Sequence, residues 1–257
     1  MLCGGDNVEY VCKLKNIGKY YHTIVNETKA IDNISLEVKK GEIVSIVGPS
    51  GCGKSTILSI IAGFEEPSYG EVYIESNNIG FMFQKDQLYE WRTILNNCLI
   101  GLEIKNKKSK DNINKVKLML EKYGLEKFEN YYPRQLSGGM RQRAALARTL
   151  AIEPDILLLD EPFSALDYQT RLSVGNDVGT ILRKEKKTTI LVTHDIPEAV
   201  SMSDRVIVLT ARPACIKKEF HIYFDLEDDE RTPMNCRNNH KFGGYFNDIW
   251  KELELGE

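Results

Sequence analysis

Eight consecutive residues near position 50 have the types and spacing of a phosphate-binding loop. They are Gly48, Pro49, Ser50, Gly51, Cys52, Gly53, Lys54 and Ser55. The glycines would let backbone N–H groups converge on phosphate oxygens without an intervening Cβ atom. Lys54 would reach the β- and γ-phosphates of a nucleotide, and the Ser55 hydroxyl would bind Mg²⁺. We therefore expect this loop, with the adjacent Thr56, to bind a nucleoside triphosphate.

The segments on both sides of the loop support this interpretation. Residues 42–47 form an apolar run typical of a buried parallel strand, and we expect a helix over residues 55–61. The dipole at the start of that helix would favour an anion. The alternative is a glycine-rich turn without a ligand, and the combination of strand, spacing and helix argues against it.

An acidic pair follows a second apolar run. Residues 156–159 are aliphatic and lead into Asp160 and Glu161, the pattern of a central strand with polar groups at its carboxyl end. Asp160 is suited to hold hydrated Mg²⁺, and Glu161 to orient or deprotonate the water that attacks the γ-phosphate. Such a pair, taken alone, is equally consistent with a helix cap.

Two further apolar runs end in polar residues. Residues 79–83 precede Gln84, and residues 188–192 precede Thr193, His194 and Asp195. With the two runs above, this gives four predicted strands whose carboxyl ends carry phosphate, metal or proton-handling groups. Open α/β sheets bind ligands at that edge. We therefore expect Gln84 and His194 to belong to the same site as Glu161.

A glycine pair after Ser137 completes a recognisable set of motifs. Residues 136–142 read Leu-Ser-Gly-Gly-Met-Arg-Gln. This run is similar to the LSGGQ signature, with Met140 in place of glutamine, and the chain resembles the nucleotide-binding subunit of an ATP-binding cassette (ABC) transporter over about residues 8–215. In this comparison Gln84 resembles the Q-loop, residues 164–167 the D-loop and His194 the switch histidine.

The resemblance implies a site shared between two chains. Two copies would pack head to tail as a homodimer, and each would offer Ser137, Gly138, Gly139 and Asp167 to the ATP bound by the other. Gln84 would also contact the metal ion. Glu161, His194 and Gln84 would be the catalytic residues, with ATP and Mg²⁺ bound between the two chains.

The same resemblance predicts an α/β fold. It implies a P-loop NTPase core with a mostly parallel sheet flanked by helices, an N-terminal antiparallel β subdomain and a helical insert. We expect one ATPase domain over residues 1–224, with the insert at about 85–155. Residues 225–257 read as an acidic linker and a short amphipathic helix over 245–255.

Several side chains keep a second interpretation at this stage. Tyr21, or its neighbour Tyr20, falls where the family places an aromatic ring on adenine, and packing of the ring at a strand edge is the alternative. Ser137 also reads as the N-cap of a helix over residues 140–151. Arg141 and Arg148, seven residues apart, read as solvated or paired rather than catalytic.

Composition places the chain among globular proteins without a membrane span of their own. The sequence has 257 residues, 42% of them hydrophobic, and a net charge of -3 that gives no attraction to nucleic acid. The six cysteines lack a paired spacing and read as reduced thiols of a cytosolic protein. Cys52, inside the loop, is expected to make the protein sensitive to alkylation. A pore would be another chain.

Partner contacts are predicted for the segment after Gln84. In the family this region meets a coupling helix of the transmembrane permease, so Tyr89 and Trp91 are candidate anchors on a protein at the inner face of the cell membrane. Packing of Trp91 inside the insert is the alternative. Residues 209–214 resemble the nitrate, sulfonate and taurine importers, although residues 89–91 depart from the usual Leu-Pro-Trp.

The expected function is therefore ATP-driven import. The solute would be a small organic or inorganic anion or a vitamin precursor, delivered to the permease by a solute-binding protein. The alternative is a soluble ABC ATPase outside transport, such as an iron–sulfur-assembly accessory protein. A DNA-maintenance ATPase is excluded because the sequence has no long heptad insertion.

Overall fold

The computed structural model describes residues 9–22, 26–164 and 166–254. Ala165 of the predicted D-loop and Leu255 of the predicted terminal helix lie outside the described residues. The strands are β1 (Tyr10–His22), β2 (Glu27–Lys39), β3 (Ile43–Val47), β4 (Tyr69–Ile74), β5 (Ile79–Met82), β6 (Ile156–Asp160), β7 (Thr188–Val192), β8 (Arg205–Leu209) and β9 (Ile216–His221). The helices are α1 (Lys54–Ile61), α2 (Ile94–Ile104), α3 (Lys110–Lys122), α4 (Gly138–Leu150), α5 (Tyr168–Lys184), α6 (Ile196–Met202), α7 (Pro233–Asn238) and α8 (Phe242–Glu254).

The larger sheet brings the four predicted strand ends together. Its strand order is β5-β6-β7-β3-β8-β9. The first five strands are parallel, and β9 pairs antiparallel with β8. Every residue of β3, β7 and β8 is buried, as expected for strands covered on both faces. The carboxyl ends of β5, β6, β7 and β3 are therefore neighbours along one edge.

A smaller antiparallel sheet has the order β2-β1-β4. Its inner face and the larger sheet enclose α1, because one buried cluster joins Leu14 and Ile34 of the small sheet, Ile57 and Ile61 of α1, and Ile46 of β3. The helix that follows the phosphate-binding loop is thus held from both sides. The mixed fold predicted from the sequence, with its N-terminal antiparallel sheet, is confirmed.

The helical insert lies between β5 and β6. Its helices α2, α3 and α4 share a buried cluster that includes Leu99, Leu120 and Leu146. Small residues allow α2 and α4 to approach closely, and the Cys98 thiol donates to the Ala144 carbonyl across that contact at 3.5 Å. Helix α4 begins at Gly138, two residues earlier than predicted.

The C-terminal residues pack against the core. Ile249 of α8, Cys236 of α7 and Phe224 share a buried cluster with Val200 of α6 and Val208 of β8. Helix α8 begins at Phe242, three residues before its predicted start. Residues 225–230 are mostly exposed and form turns. A boundary at 224/225 stays a prediction.

The packing of α8 predicts a measurable contribution to stability. Ile249→Ala is expected to lower the free energy of unfolding by about 3 kcal/mol, because it removes a fully buried side chain and leaves a cavity. Lys251→Ala, exposed on the same helix, is the control and should change it by less than about 0.5 kcal/mol. Urea denaturation of both variants gives the values. Equal effects would mean that α8 is not packed as described.

Candidate nucleotide-binding and catalytic site

The loop between β3 and α1 has a backbone that favours glycine at two positions. Gly51 and Gly53 have φ angles of +72° and +126°, which residues with a Cβ atom rarely adopt. A Cβ at Gly53 would also lie 3.1 Å from the Ala30 carbonyl oxygen. The glycines predicted from spacing therefore have a geometric reason to be there.

Lys54 is folded back over the loop. Its Nζ atom donates to the carbonyl oxygens of Gly48 at 2.8 Å and Pro49 at 2.9 Å, and the residue is only 6% exposed. These neutral acceptors hold the ammonium group at the start of α1. Phosphate oxygens would be stronger acceptors for the same donor, because both partners would then be charged.

Ser55 and Asp160 face each other across the edge of the sheet. The Ser55 hydroxyl donates to Asp160 Oδ1 at 3.0 Å. Burial and the nearby Glu161 raise the pKa of Asp160, against the opposing effects of Ser55 and Lys54. A hydroxyl and a half-buried carboxylate are hard oxygen ligands, and Mg²⁺ binds through one or two such groups with phosphate and water. The pair therefore fits the predicted metal.

Two of the predicted catalytic residues contact the same carboxylate oxygen of the third. Glu161 Oε2 accepts from Gln84 Nε2 at 3.0 Å and lies 3.2 Å from His194 Nδ1. Gln84 follows β5, Glu161 follows β6 and His194 follows β7, so adjacent parallel strands deliver them. Glu161 itself has a φ of +45°, a left-handed conformation that is uncommon outside glycine and costs about 1 kcal/mol or more.

Tyr21 is the member of the tyrosine pair that lies beside the loop. Its hydroxyl donates to Glu65 Oε2 at 2.6 Å and lies 3.3 Å from Thr56 Oγ1 of α1. Tyr20, on the opposite face of β1, contacts the rings of His22 and Tyr69 instead. The alternation of side chains along a strand separates the two. Tyr21 therefore remains the candidate for adenine, and its stacking role stays a prediction.

The side chains of Ser137 and Asp167 cap the N-termini of the helices that follow them. Ser137 Oγ caps α4 by accepting from Met140 N at 3.3 Å, and Asp167 Oδ1 caps α5 by accepting from Thr170 N at 3.1 Å. Both groups thus mark helix N-termini, where anions are favoured. Gly139 has a packing reason as well, because a Cβ there would lie 2.6 Å from Thr170 Cγ2.

The comparison with known proteins agrees with this geometry. Residues 31–164 match the family described as ABC transporter. The chain belongs to this family. The ABC transporter ATP-binding protein YtlC of Bacillus subtilis is 46% identical over 240 residues, which cover 91% of this chain and 92% of that protein. The chain is thus an ATPase subunit of the ABC class.

The chain is also similar to a named import protein and to a solved cassette structure. The aliphatic sulfonates import ATP-binding protein SsuB of Bacillus cereus is 41% identical over 80% of this chain and 83% of its own length. A dimeric post-hydrolysis structure of the ATP-binding cassette MJ0796 with ADP and Pi superposes with a TM-score of 0.73 at 36% identity, over 83% of this chain and 99% of that one. None of the helices in the three described ranges is long and apolar enough to cross a bilayer.

The expectation that Cys52 makes this ABC ATPase sensitive to alkylation is wrong. The residue is 1% exposed, and burial raises the pKa of its thiol. The thiolate is the reactive form, so a buried and protonated Cys52 is shielded. The motif placed the cysteine in the loop but did not reveal that its side chain points into the core between loop and sheet.

One arginine that the sequence did not single out supports the loop. Arg212 Nη2 donates to the Gly51 carbonyl at 2.6 Å. Arg212 lies between β8 and β9, 161 residues further along the chain, so no local spacing could have revealed the contact. The resemblance of residues 209–214 to the importer family drew attention to this segment but predicted no role for Arg212.

A buried glutamate lies close to His194, the predicted switch histidine. Thr193 Oγ1 donates to Glu198 Oε2 at 3.1 Å, and Asp195 N donates to that same hydroxyl at 3.0 Å. Burial raises the pKa of Glu198 to about 8, with Asp195 adding to the effect. The spacing Asp195 to Glu198 is the signal that was available, because it is the pattern of a helix capping box.

Glu198 predicts a pH dependence of stability. Its folded-state pKa of about 8 exceeds the value of roughly 4.3 for an unfolded glutamate, so the stabilising contribution is complete below the lower value and is lost as pH rises toward the upper one. The unfolding free energy of wild type relative to Glu198→Gln should therefore fall between about pH 5 and pH 8, by about 1 kcal/mol per pH unit.

Chemical denaturation at several pH values measures this difference. Glu252→Gln is the control, because Lys218 lowers the pKa of Glu252 and its contribution should not fall over the same range. A wild-type-minus-glutamine difference that stays constant with pH for Glu198 would show that this carboxyl group is ionised throughout.

Proposed function

We propose that this chain is the ATP-binding subunit of an ABC importer. It binds MgATP, hydrolyses it in a head-to-tail homodimer and thereby drives a separate transmembrane permease at the inner, cytoplasmic face of the cell membrane. The observation that carries the proposal is the meeting of Gln84 and His194 on Glu161 Oε2, beside the Ser55–Asp160 pair. Such a constellation serves γ-phosphate hydrolysis.

ATP would enter by replacing weak acceptors with strong ones. The backbone N–H groups of Gly48 and of residues 50–55 would receive the phosphates, Lys54 would exchange its two carbonyl partners for phosphate oxygens, and the adenine ring would stack on Tyr21. Ser55 and Asp160, with Gln84, would hold Mg²⁺, which supplies charge neutralisation on the phosphate oxygens. The side chain of Thr56 lies beside the Tyr21 hydroxyl.

Glu161 would act on the attacking water as a general base. Its carboxylate is fixed by Gln84 on one side and His194 on the other, so it needs little reorganisation to accept a proton. His194 would also contact the γ-phosphate that the water attacks. The strained backbone of Glu161 is consistent with a side chain held in place for function.

Each of the two ATP sites in the dimer would be formed by residues of both chains. Ser137, Gly138, Gly139 and Asp167 lie at the N-termini of α4 and α5, and their hydrogen bonds run within those helices rather than to Lys54. A second copy packed head to tail would bring them to the γ-phosphate. The dimeric MJ0796 cassette supports this arrangement for the present chain.

Trp91 marks the surface for the permease. It is 75% exposed, so the alternative of core packing is wrong, and its ring contacts that of Tyr89 at 5.0 Å. The buried Asn97 fixes this segment by accepting from Tyr89 N at 2.7 Å and donating to Arg92 O at 3.0 Å. A rigid, exposed aromatic pair is suited to anchor a partner helix.

The solute would be a small organic or inorganic anion or a vitamin precursor. The sulfonate import relative supports this class, with a solute-binding protein as an indirect partner. The net charge of -3 supports no nucleic-acid partner. No observation favours the alternative of a soluble ABC ATPase outside transport, such as an iron–sulfur-assembly accessory protein.

Glu161→Gln is expected to uncouple binding from hydrolysis. The substitution keeps the shape of the side chain but removes the base, so hydrolysis should fall at least 100-fold, within the range for loss of a general base, while ATP still binds. Size-exclusion chromatography with MgATP should then show an accumulated dimer.

The matched control is Lys54→Ala in the same Glu161→Gln chain. It removes the fixed cation for the phosphates, so it should bind ATP weakly and stay monomeric. If Glu161→Gln remains monomeric and hydrolyses ATP at the wild-type rate, Glu161 is not the base and the proposed assembly is not formed.

A further inference from the structure

Two arginines occupy the same place in two different helices. Arg141 lies four residues after Ser137, the N-cap of α4, and Arg171 lies four residues after Asp167, the N-cap of α5. Each guanidinium donates to the carbonyl of the residue just before the cap. Arg141 Nη1 binds Leu136 O at 3.1 Å, and Arg171 Nη2 binds Leu166 O at 3.2 Å.

The other end of each guanidinium binds an aspartate. Arg141 Nε lies 3.0 Å from Asp86 Oδ2, and Arg171 Nη1 lies 3.2 Å from Asp195 Oδ2. Asp86 is two residues after Gln84, and Asp195 directly follows His194. Each arginine therefore joins the start of a helix to a segment that carries one of the two residues bonded to Glu161.

The segment after Gln84 is held to α4 by further bonds. Arg148 donates from Nη2 to the Asp86 carbonyl at 2.7 Å and from Nη1 to the Gln87 carbonyl at 2.6 Å. Gln142 Nε2 reaches the Gln84 carbonyl at 3.5 Å. The residues from Gln84 to Gln87 are thus bonded to α4 at several points.

The segment after His194 is similarly fixed. Asp195 Oδ1 accepts from Glu198 N at 2.8 Å, and Asp195 N donates to Thr193 Oγ1 at 3.0 Å. The arginine pairs themselves are partly buried, with side-chain exposures of 35% for Arg141 and 23% for Arg171. A planar guanidinium that binds two acceptors in this setting constrains geometry more than a surface ion pair does.

We propose that Arg141 and Arg171 are positioning residues that couple the two halves of the shared site. When the second copy's nucleotide binds at Ser137 or Asp167, the displacement of that helix start is passed through Arg141 to Gln84 and through Arg171 to His194. Closure of the dimer would thereby adjust the two side chains that hold Glu161 Oε2. The inference rests on the proposed function, because it requires the second copy.

Arg141→Met and Arg171→Met test the coupling. Methionine keeps most of the apolar length of the side chain and removes both hydrogen bonds. The control is Arg183→Met in the last turn of α5, because Arg183 makes the same kind of bridge, from Nη1 to Asp204 Oδ1 at 3.1 Å and from Nη2 to Met202 O at 3.1 Å. It lies away from the helix starts that face the second copy.

Three assays are carried out on each chain. They give the affinity of the monomer for a fluorescent ATP analogue, the MgATP-dependent dimer affinity in the Glu161→Gln background, and the ATPase kcat, KM and Hill coefficient with Glu161 present. For Arg141→Met and Arg171→Met we expect monomer affinity within about twofold of wild type, a dimer affinity weaker by roughly tenfold or more, and a kcat lower by a similar factor. The Hill coefficient should fall toward 1.

A double variant tests whether Arg141 acts through its ion pair with Asp86. If Arg141 acts through Asp86, then Asp86→Asn with Arg141→Met should lower kcat no further than Arg141→Met alone. Arg183→Met should lose stability like the others but keep the wild-type kcat, KM and Hill coefficient. That contrast separates a positioning role from a purely structural one.

The outcomes distinguish the two levels of the proposal. If the Glu161→Gln chain and its Arg183→Met form dimerise with MgATP while Arg141→Met and Arg171→Met dimerise as tightly and keep the wild-type kcat and Hill coefficient, the coupling inference is overturned and the proposed function stands. If no chain dimerises with MgATP, the proposed function fails and the inference fails with it.

Discussion

The parallel pairing of β5, β6, β7 and β3 is the constraint on which the site depends. In the register observed, Asp160 pairs with Val192, and Val192 in turn pairs with Ile46. The residues that follow these strands therefore emerge at one level. A slip of two residues in one strand would move its terminal side chain by about 6.6 Å and would separate Glu161 from Gln84 or His194, which lie 3.0 and 3.2 Å from it.

That alignment concentrates negative charge where a nucleotide must bind. Burial and Glu161 raise the pKa of Asp160. The Lys54 ammonium group donates to two neutral carbonyl oxygens. A triphosphate accompanied by a divalent cation would relieve both conditions, since the lysine would gain charged acceptors and the carboxylates would gain a cation. The same edge holds His194 and Gln84 ready around Glu161. The charge distribution of the fold thus favours the complex with the metal and the nucleotide together.

Much of this site could be predicted because its signals are local. The loop at 48–55 is set by glycine and lysine spacing, and four short apolar runs gave the strands of the parallel edge, with ends that agree with the structure to within one residue. The family, the mixed fold and the ATPase activity are confirmed. The start of α8 at Phe242 was missed because Gly243 and Gly244 lower the helix propensity of that turn.

The remaining features depend on contacts between distant parts of the chain. Arg212 reaches Gly51 across 161 residues, and Arg141 reaches Asp86 across 55, so neither partner can be identified from spacing. The sequence predicted that Arg141 is solvated or paired, and the structure shows it paired with Asp86. The sequence did not identify that partner. Burial is equally invisible in a motif, as Cys52 and Glu198 demonstrate, because whether a side chain faces the core is decided by the packing of several elements.

The central claim is that each nucleotide is acted on by residues of two chains. It is tested most directly by mixing a Lys54→Ala chain with a Ser137→Arg chain and measuring ATPase activity and MgATP-dependent dimerisation of the mixture. With shared sites, one site of the mixed dimer carries both lesions and the other carries none. The mixture should then hydrolyse more ATP than either variant alone. If Ser137 serves the nucleotide of its own chain, every site keeps one lesion, and recovery of neither activity nor dimerisation would contradict the account.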